Sequence, residues 1–386
     1  MMGARFRSQT ARRRRPLAFT LHSLLGLNVS LLLLFVCLTG TVAVVSDEIE
    51  WLASPKFRAS STSTRVGWQA QYEAAQTAYP TYHLTDISAG EEPYMATRIW
   101  ATSPAGELRI IYVDPASGHV NGESSFVTFR SFMRALHYYL FTPGDWGFFL
   151  VTALGFVLLA SAATGLLVYK KFWRGFFRVP ATGRGSRLFW GNMHKLFALW
   201  SLWFVLLMAL TSIWYFGERI VYRLGIDLES VKAPVAPKGL AASDSRSDRY
   251  LPLDALVARA TEALPGLDVK SIYFPATPAA PISINGEASA WLVRDRANSV
   301  ALDPRTGAVL SIRRAERMSL LERWVHTADP LHFGDFGGLW SKLTWVFFGL
   351  LLCGLAASGA AVYVKRTTIA LSRIQRSPQA TSLATR

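Results

Sequence analysis

Hydrophobic positions concentrate in four long runs, and more polar segments separate them. The runs cover residues 17–45, 148–169, 189–216 and 340–364. A transmembrane helix needs about 20 apolar residues, and each run reaches that length. The pattern therefore predicts four membrane-spanning helices. The first run follows an arginine cluster, as a cleaved signal peptide does, but its length and the lack of an A-x-A site before Asp47 favour an uncleaved span.

The two long segments between spans, 46–147 and 217–339, follow one plan. Each has a helical stretch (66–79 and 252–266), then strand-like pieces that reach an Asp-Pro-x-x-Gly turn. Proline presets φ in such a turn, and glycine accepts a positive φ. We therefore expect two small α+β modules. The strand-like pieces are 98–100 and 108–113 in the first module and 269–274, 290–294 and 299–302 in the second.

The two halves of the chain repeat one another. His22 precedes Thr39 by 17 residues in span one, and His194 precedes Thr211 by the same distance in span three. Span two ends in ATGLLVYKK and span four in ASGAAVYVK, and the motifs GDWG and GDFG precede these spans. Such internal similarity indicates a tandem duplication of span, outside module and span.

The predicted fold class is a membrane α-helical protein: a four-helix transmembrane bundle with two small α+β modules. A stretch rich in Pro, Ala, Ser and Gly, 231–247, is predicted to be a mobile linker. The predicted order is a cytoplasmic basic tail (1–16), TM1 (17–45), module 1 (46–147), TM2 (148–169), a cytoplasmic basic loop (170–188), TM3 (189–216), module 2 (217–339), TM4 (340–364) and a cytoplasmic tail (365–386).

The net charge of +15 comes from basic stretches that flank the spans. Residues 1–22, 170–195 and 365–386 hold six, seven and five Lys or Arg and no Asp or Glu. The other 23 basic residues face 26 acidic ones. Cytoplasmic loops carry the positive excess, so both termini are predicted inside and both modules outside. The charge is thus a topology signal and not a nucleic-acid footprint, and two cysteines are too few for a disulfide framework.

Five of the seven histidines lie in or beside the spans. His22 and His194 each lie about one turn into an odd-numbered span, at equivalent positions of the repeat. His137 lies on a predicted interfacial helix (126–141), and His326 and His332 lie in the matching segment before span four. Ionisable side chains at membrane depth are costly, and they therefore indicate a functional site.

Paired neutral imidazoles inside an apolar bundle suit the axial coordination of haem. Two axial histidines leave no open position for oxygen, which favours electron transfer, and the absence of a C-x-x-C-H motif predicts a non-covalent b-type haem. One haem near each face would divide the hydrocarbon thickness of about 30 Å between shorter electron steps. Two alternatives stay open. Zinc would need a third or fourth ligand, and purely structural histidines would bond neighbouring helices.

Several segments resemble the PepSY-associated transmembrane family of bacterial inner-membrane proteins. They are HKLFALWSLWF, LHYYLFTPGDWG, PLHFGDFGGLWSKLTWVFFGLLLCGLAASG and the paired DPxxG turns, and the resemblance covers about residues 17–370. It implies PepSY-like periplasmic modules, a multi-pass inner-membrane location and a link to iron uptake. Characterised members are described as siderophore reductases with two haems in a four-helix bundle.

Carried onto this chain, the resemblance implies an oxidoreductase that reduces a periplasmic ferric siderophore or other ferric chelate and releases iron(II). His22 and His194 would be the axial ligands of an inner haem b, and His137 with His332 those of an outer one. His326 stays open as the alternative second outer ligand. We expect the electrons to come from a separate cytoplasmic protein or from quinol.

Three arginines near the outer histidines, Arg130, Arg134 and Arg323, are candidates for pairing with haem propionates, with headgroup anchoring as the alternative. Cys37 and Cys353 are expected to pack within spans, and His83 and His119 to lie on the surface. No nucleotide-binding loop or peptidase signature occurs. Two other functions compete with electron transfer: a membrane-anchored binding or sensor module, and an accessory protein for iron or siderophore transport.

Overall fold

A computed structural model of the chain describes residues 17–169, 174, 186–228, 250–277 and 280–376. They form two compact units. The first contains the described residues up to Phe35, Leu154–Ala209 and those from Leu351, and the second contains Val36–Ala153 and the described part of Leu210–Leu350. The predicted tail 1–16, nearly all of the loop segment 170–185, the predicted linker 231–247 and residues 377–386 lie outside the described residues.

Ten α-helices occur in the described part of the chain. Three of them are long and apolar enough to cross a membrane: Trp146–Val168, Leu202–Arg223 and Gly338–Lys365. A fourth span results if the first helix, which bends by 57° between Leu17–Gly26 and Val29–Val44, counts as one. The helices are α1 (Leu17–Val44), α2 (Ser46–Ala53), α3 (Trp68–Ala78), α4 (Phe129–Tyr139), α5 (Trp146–Val168), α6 (Ser186–Trp200), α7 (Leu202–Arg223), α8 (Leu253–Ala263), α9 (Leu320–Phe333) and α10 (Gly338–Arg376).

Two helices, α6 and α7, cover the third predicted span, 189–216, and they meet at Ser201. The backbone N–H of Ser201 still donates to Phe197 O at 3.0 Å, and Val205 N–H donates to Ser201 O at 2.8 Å. The Ser201 hydroxyl also donates to Phe197 O at 2.6 Å, a contact that commonly bends helices. His194 therefore lies on α6, and the long apolar helix α7 begins after it.

In the described residues, eight strands form one antiparallel sheet in the order β4-β3-β2-β1-β5-β6-β7-β8. Three of the predicted strand pieces fall within β2, β3 and β7, and a fourth, 269–274, overlaps β5 and runs one residue past its end. The predicted strand 290–294 is wrong, because Leu292 has a φ of 61° and cannot continue an extended strand. The strands are β1 (His83–Ser88), β2 (Thr97–Thr102), β3 (Leu108–Val113), β4 (Val120–Ser125), β5 (Asp268–Tyr273), β6 (Ile282–Glu287), β7 (Asn298–Leu302) and β8 (Val309–Arg313).

The two predicted modules are halves of this single sheet. β1 pairs with β5, and Ile87 lies opposite Ile272 at the join. Each half has a hairpin at its Asp-Pro-x-x-Gly turn, where Gly118 and Gly307 take φ values of 76° and 70°. These glycines accept the left-handed conformation that a side chain would resist.

Helices α3 and α8, one from each half, cap one another. The Asp254 carboxylate of α8 accepts from Trp68 N–H of α3 at 2.7 Å, and the Gln69 amide oxygen of α3 accepts from Leu253 N–H of α8 at 2.7 Å. Each contact satisfies a backbone donor that a helix start leaves open. Both helices pack on the sheet, and the core joins Ala75, Leu256 and Ala260 of these helices to Ile87, Ile99, Ile111, Ile272, Ile284 and Val300.

Candidate functional site

The first unit brings His22 of α1 and His194 of α6 together. Their ring centroids are 6.1 Å apart, and the ring planes cross at 67°. Nδ1 of His22 lies 3.1 Å from Ser161 O and 3.2 Å from the Thr164 hydroxyl, both on α5. One edge of the ring is therefore tied to a neighbouring span.

His194 is held in the same way by α10. Its Nδ1 lies 3.1 Å from Leu355 O and 3.3 Å from the Ser358 hydroxyl. A glycine follows each hydroxyl residue, and a Cβ there would lie 3.4 Å from the His22 ring at Gly165 and 3.2 Å from the His194 ring at Gly359. The duplication seen in the sequence thus reproduces one histidine environment twice.

The second unit contains another histidine pair. His137 of α4 and His332 of α9 have ring centroids 6.4 Å apart and an interplanar angle of 38°. Nδ1 of His137 lies 3.0 Å from Val36 O and 3.4 Å from the Thr39 hydroxyl, both on α1. Nδ1 of His332 lies 2.7 Å from the Thr211 hydroxyl of α7.

The partners of Nδ1 determine the tautomer of three rings. A carbonyl oxygen can only accept, so Nδ1 of His22, His194 and His137 must carry the proton. In a neutral imidazole the other nitrogen, Nε2, then keeps its lone pair. This is the arrangement of a histidine that ligates a metal through Nε2 and bonds a carbonyl through Nδ1.

Helix α4 is fixed at both ends, and this positions His137. Thr128 and Ser131 form a reciprocal capping box at its start, and the Glu50 carboxylate accepts from Arg130 N–H at 2.7 Å. The helix ends at Leu140 and Phe141, whose φ values of 50° and 53° are left-handed. A carboxylate at a helix N-terminus is favoured by the helix dipole.

Helix α9 is also fixed at both ends, and this positions His332. Ser319 and Glu322 form its capping box, and Gly334, the first residue of GDFG, ends it with a φ of 73°. A side chain at Gly334 would enter the Trp345 ring. The Trp345 indole N–H donates to Leu331 O at 3.0 Å, next to His332. The GDFG motif thus ends the helix that presents the histidine.

His326 lies apart from the pair. It is fully buried, and its Nε2 lies 2.8 Å from the Arg313 guanidinium, which can only donate. Six residues separate it from His332, about 240° around a helix, so the two side chains leave α9 in different directions. The structure therefore places His332, and not His326, opposite His137.

Buried charges lie beside the start of α4. Asp47 of α2 accepts a hydrogen bond from Arg98 at 2.9 Å and forms an ion pair with Arg130 at an N–O distance of 2.9 Å. Burial alone would raise the pKa of Asp47, but the two guanidinium groups outweigh it and hold that pKa at about 2. Arg130 also pairs with Glu91 at 3.0 Å. Arg130, one of the arginines proposed from the sequence to pair with a haem propionate, therefore pairs with two protein carboxylates.

The other sequence candidates lie as follows. Arg134 lies over the Phe333 ring at 5.5 Å, and Arg323 donates to Trp291 O at 3.5 Å. Next to the His137–His332 pair, the Tyr215 hydroxyl donates to Asp329 at 2.8 Å. Cys37 and Cys353 are at least partly buried in spans, as expected for packing residues. His83 and His119 are exposed, as expected for surface residues.

The spacing of each pair fits two imidazoles on one iron. A metal–imidazole bond is about 2 Å long and the ring centre lies about 1 Å behind the nitrogen, so centroids about 6 Å apart are expected. The observed values are 6.1 and 6.4 Å. Zinc would need further ligands, and no group of three or more His, Cys, Asp or Glu suited to a metal occurs in the described residues.

Sequence reasoning missed the residues that hold the rings. Each Nδ1 atom contacts the hydroxyl of a Ser or Thr that is followed by a small residue: Thr164-Gly165, Ser358-Gly359, Thr39-Gly40 and Thr211-Ser212. The signal was present, because ATG and ASG recur in the even spans and LTG and LTS in the odd ones. Only the structure shows that a histidine lies against each.

Long apolar helices with histidine pairs, together with an antiparallel sheet, define a membrane protein with half-buried paired imidazoles. The chain belongs to the PepSY-associated TM family, because the family model described as the PepSY-associated TM region matches residues 19–366. No curated protein matches the chain significantly.

Proposed function

We propose that this protein carries electrons across the bacterial inner membrane and reduces a ferric siderophore or other ferric chelate in the periplasm. The observation that supports the proposal is the repeated histidine pair, with ring centroids 6.1 and 6.4 Å apart and Nδ1 bonded to a neighbouring helix. A b-type haem held at each pair would supply one-electron transfer without an open iron position.

The chain's own part is to hold the ligands and exclude water. His22 and His194 would bind the inner haem, and His137 and His332 the outer one. In His22, His194 and His137 the carbonyl partner keeps the proton on Nδ1, so Nε2 is available without a preceding proton loss. Neutral imidazoles also avoid placing extra charge in apolar surroundings.

The proposed reaction transfers one electron to the iron(III) of the chelate and forms iron(II), which siderophore ligands hold more weakly. A cytoplasmic reductase or quinol donates that electron. The positive stretches beside the spans predict that both termini lie inside, and this supports a periplasmic location for the His137–His332 pair.

Single histidine variants test the ligand assignment. His194→Ala should leave one of two haems, with the loss confined to the inner centre, and His332→Ala should remove only the outer one. Haem content and the reduced α-band of the full-length protein in detergent provide the measurement. His326→Gln is the matched control and should retain both haems, because its ring bonds Arg313.

Two results would contradict the proposal. Both haems retained in His194→Ala and His332→Ala would exclude these ligands. A colourless wild type would instead favour a membrane-anchored binding module or a transport accessory protein.

A further inference from the structure

Three of the four dipeptides in which a Ser or Thr precedes a small residue share one geometry. In them the histidine Nδ1 contacts both the hydroxyl and the carbonyl three positions earlier, as with Thr39 and Val36. In the fourth, Thr211-Ser212, the Nδ1 of His332 contacts the hydroxyl. Residues three apart lie on one face of a helix, so the carbonyl and the hydroxyl approach the ring together. The small residue that follows lets the ring approach the helix backbone.

These hydroxyls are oriented as acceptors. Thr39 donates its own proton to Val36 O at 3.0 Å, Thr164 to Ala160 O at 2.7 Å and Ser358 to Leu355 O at 3.0 Å. A hydroxyl has one proton, so its remaining capacity toward the histidine is a lone pair. The dipeptides therefore offer only acceptors to these Nδ1 atoms.

We propose that Thr164-Gly165, Ser358-Gly359, Thr39-Gly40 and Thr211-Ser212 are positioning residues that hold each paired histidine with Nδ1 protonated and Nε2 directed to the haem iron. This inference rests on the proposed function. Accepting from Nδ1–H makes the imidazole a stronger ligand, and such partners typically change metal affinity by about 10- to 100-fold.

The glycines give a graded test, because an added Cβ meets the histidine ring at different distances. The Cβ would lie 3.4 Å from the ring at Gly165, 3.2 Å at Gly359 and 2.7 Å at Gly40, and it would meet nothing within 4 Å at Gly26. An iron-bound ring cannot swing aside. We expect the control Gly26→Ala to keep both haems with wild-type low-spin EPR signals and Gly165→Ala to change the inner signal least. Gly359→Ala should shift the inner signal, and Gly40→Ala should lose the outer low-spin signal.

Hydroxyl variants give a second readout that does not depend on the added methyl group. Thr211→Val keeps the volume but removes the hydroxyl that lies 2.7 Å from His332 Nδ1 and that the positioning role requires to accept from Nδ1–H. The less electron-rich imidazole should stabilise iron(III) less, so the outer reduction potential should rise, and Thr211→Ser should restore it. Potentials are measured by redox titration of the haem-loaded full-length protein.

Haem binding by the wild type separates a failure of the positioning role from a failure of the proposed function. A haem-loaded wild type whose Gly40→Ala and Thr211→Val variants keep wild-type spectra and potentials would overturn the positioning role alone. A wild type that binds no haem would overturn the proposed function, and the positioning role with it.

Discussion

Asp47 forms ion pairs with both the sheet and helix α4, which carries His137. Its carboxylate lies 2.9 Å from Arg98 of the sheet and 2.9 Å from Arg130, which stands two turns before His137 on α4. The side chain is 8% exposed, so solvent screens these pairs little. Losing the carboxylate would leave two guanidinium groups without a partner they now share.

We predict that Asp47→Asn lowers the free energy of unfolding by about 3 kcal/mol at pH 7. The folded pKa, about 2, lies below the unfolded value, so this contribution is present above about pH 4 and is lost as the pH falls towards 2. Thermal unfolding of the detergent-solubilised protein between pH 2 and 7, followed by circular dichroism, measures both effects.

The variant should therefore show a weaker acid dependence than wild type over that range. Glu262→Gln is the control, because the pair with Arg259 is exposed and should change stability little. Wild-type stability of Asp47→Asn at pH 7 would contradict the role assigned to this ion cluster.

Single residues were only partly predictable from the sequence. The repeat identified His22, His194 and His137, but it left His326 and His332 as alternatives because the aligned segments differ by a gap. The helical phase of α9 separates them, since one ring reaches Arg313 and the other reaches Thr211. The direction in which each ring leaves α9 depends on where the capping box at Ser319 starts the helix. Neither the hydrophobic periodicity nor the histidine spacing specified that start.

At the scale of elements, the predicted helices 66–79 and 252–266 correspond to α3 and α8, whereas half of the strands were missed. β6 contains Asn-Gly, which in sequence is typical of a turn, and β4 is a polar strand at the sheet edge. Segment 290–294 has the apolar residues of a strand, yet Arg294 N–H donates to His326 O and the chain leaves the sheet. Tertiary contacts, not local pattern, decide these segments.

The join between β1 and β5 should be the most sensitive part of the sheet. Ile87 and Ile272 face each other there and are fully buried, so we expect Ile87→Ala to cost about 2–4 kcal/mol of unfolding free energy. Ile312→Ala on the edge strand β8, where the side chain is 41% exposed, is the matched control and should cost far less. Circular dichroism melts compare the two, and equal losses would argue against a continuous sheet.

In the molecule as a whole, the sequence showed the duplication, but it did not show that the two modules form one continuous sheet. Two similar modules could remain separate, and whether they pair depends on the edge strands of their sheets, here β1 and β5. A sheet edge exposes unpaired backbone groups, and pairing β1 with β5 removes two such edges at once. The membrane helices follow from hydropathy, as expected when backbone groups must be satisfied within each span.

The central claim is that the duplicated chain uses its two histidine pairs to bind two redox centres. The most direct test is the haem content of full-length wild-type protein purified from haem-replete cells, measured as pyridine haemochrome per mole of chain. We predict two non-covalent b-type haems per chain, with an α-band that develops on dithionite reduction. A colourless protein without bound haem under these conditions would contradict the claim.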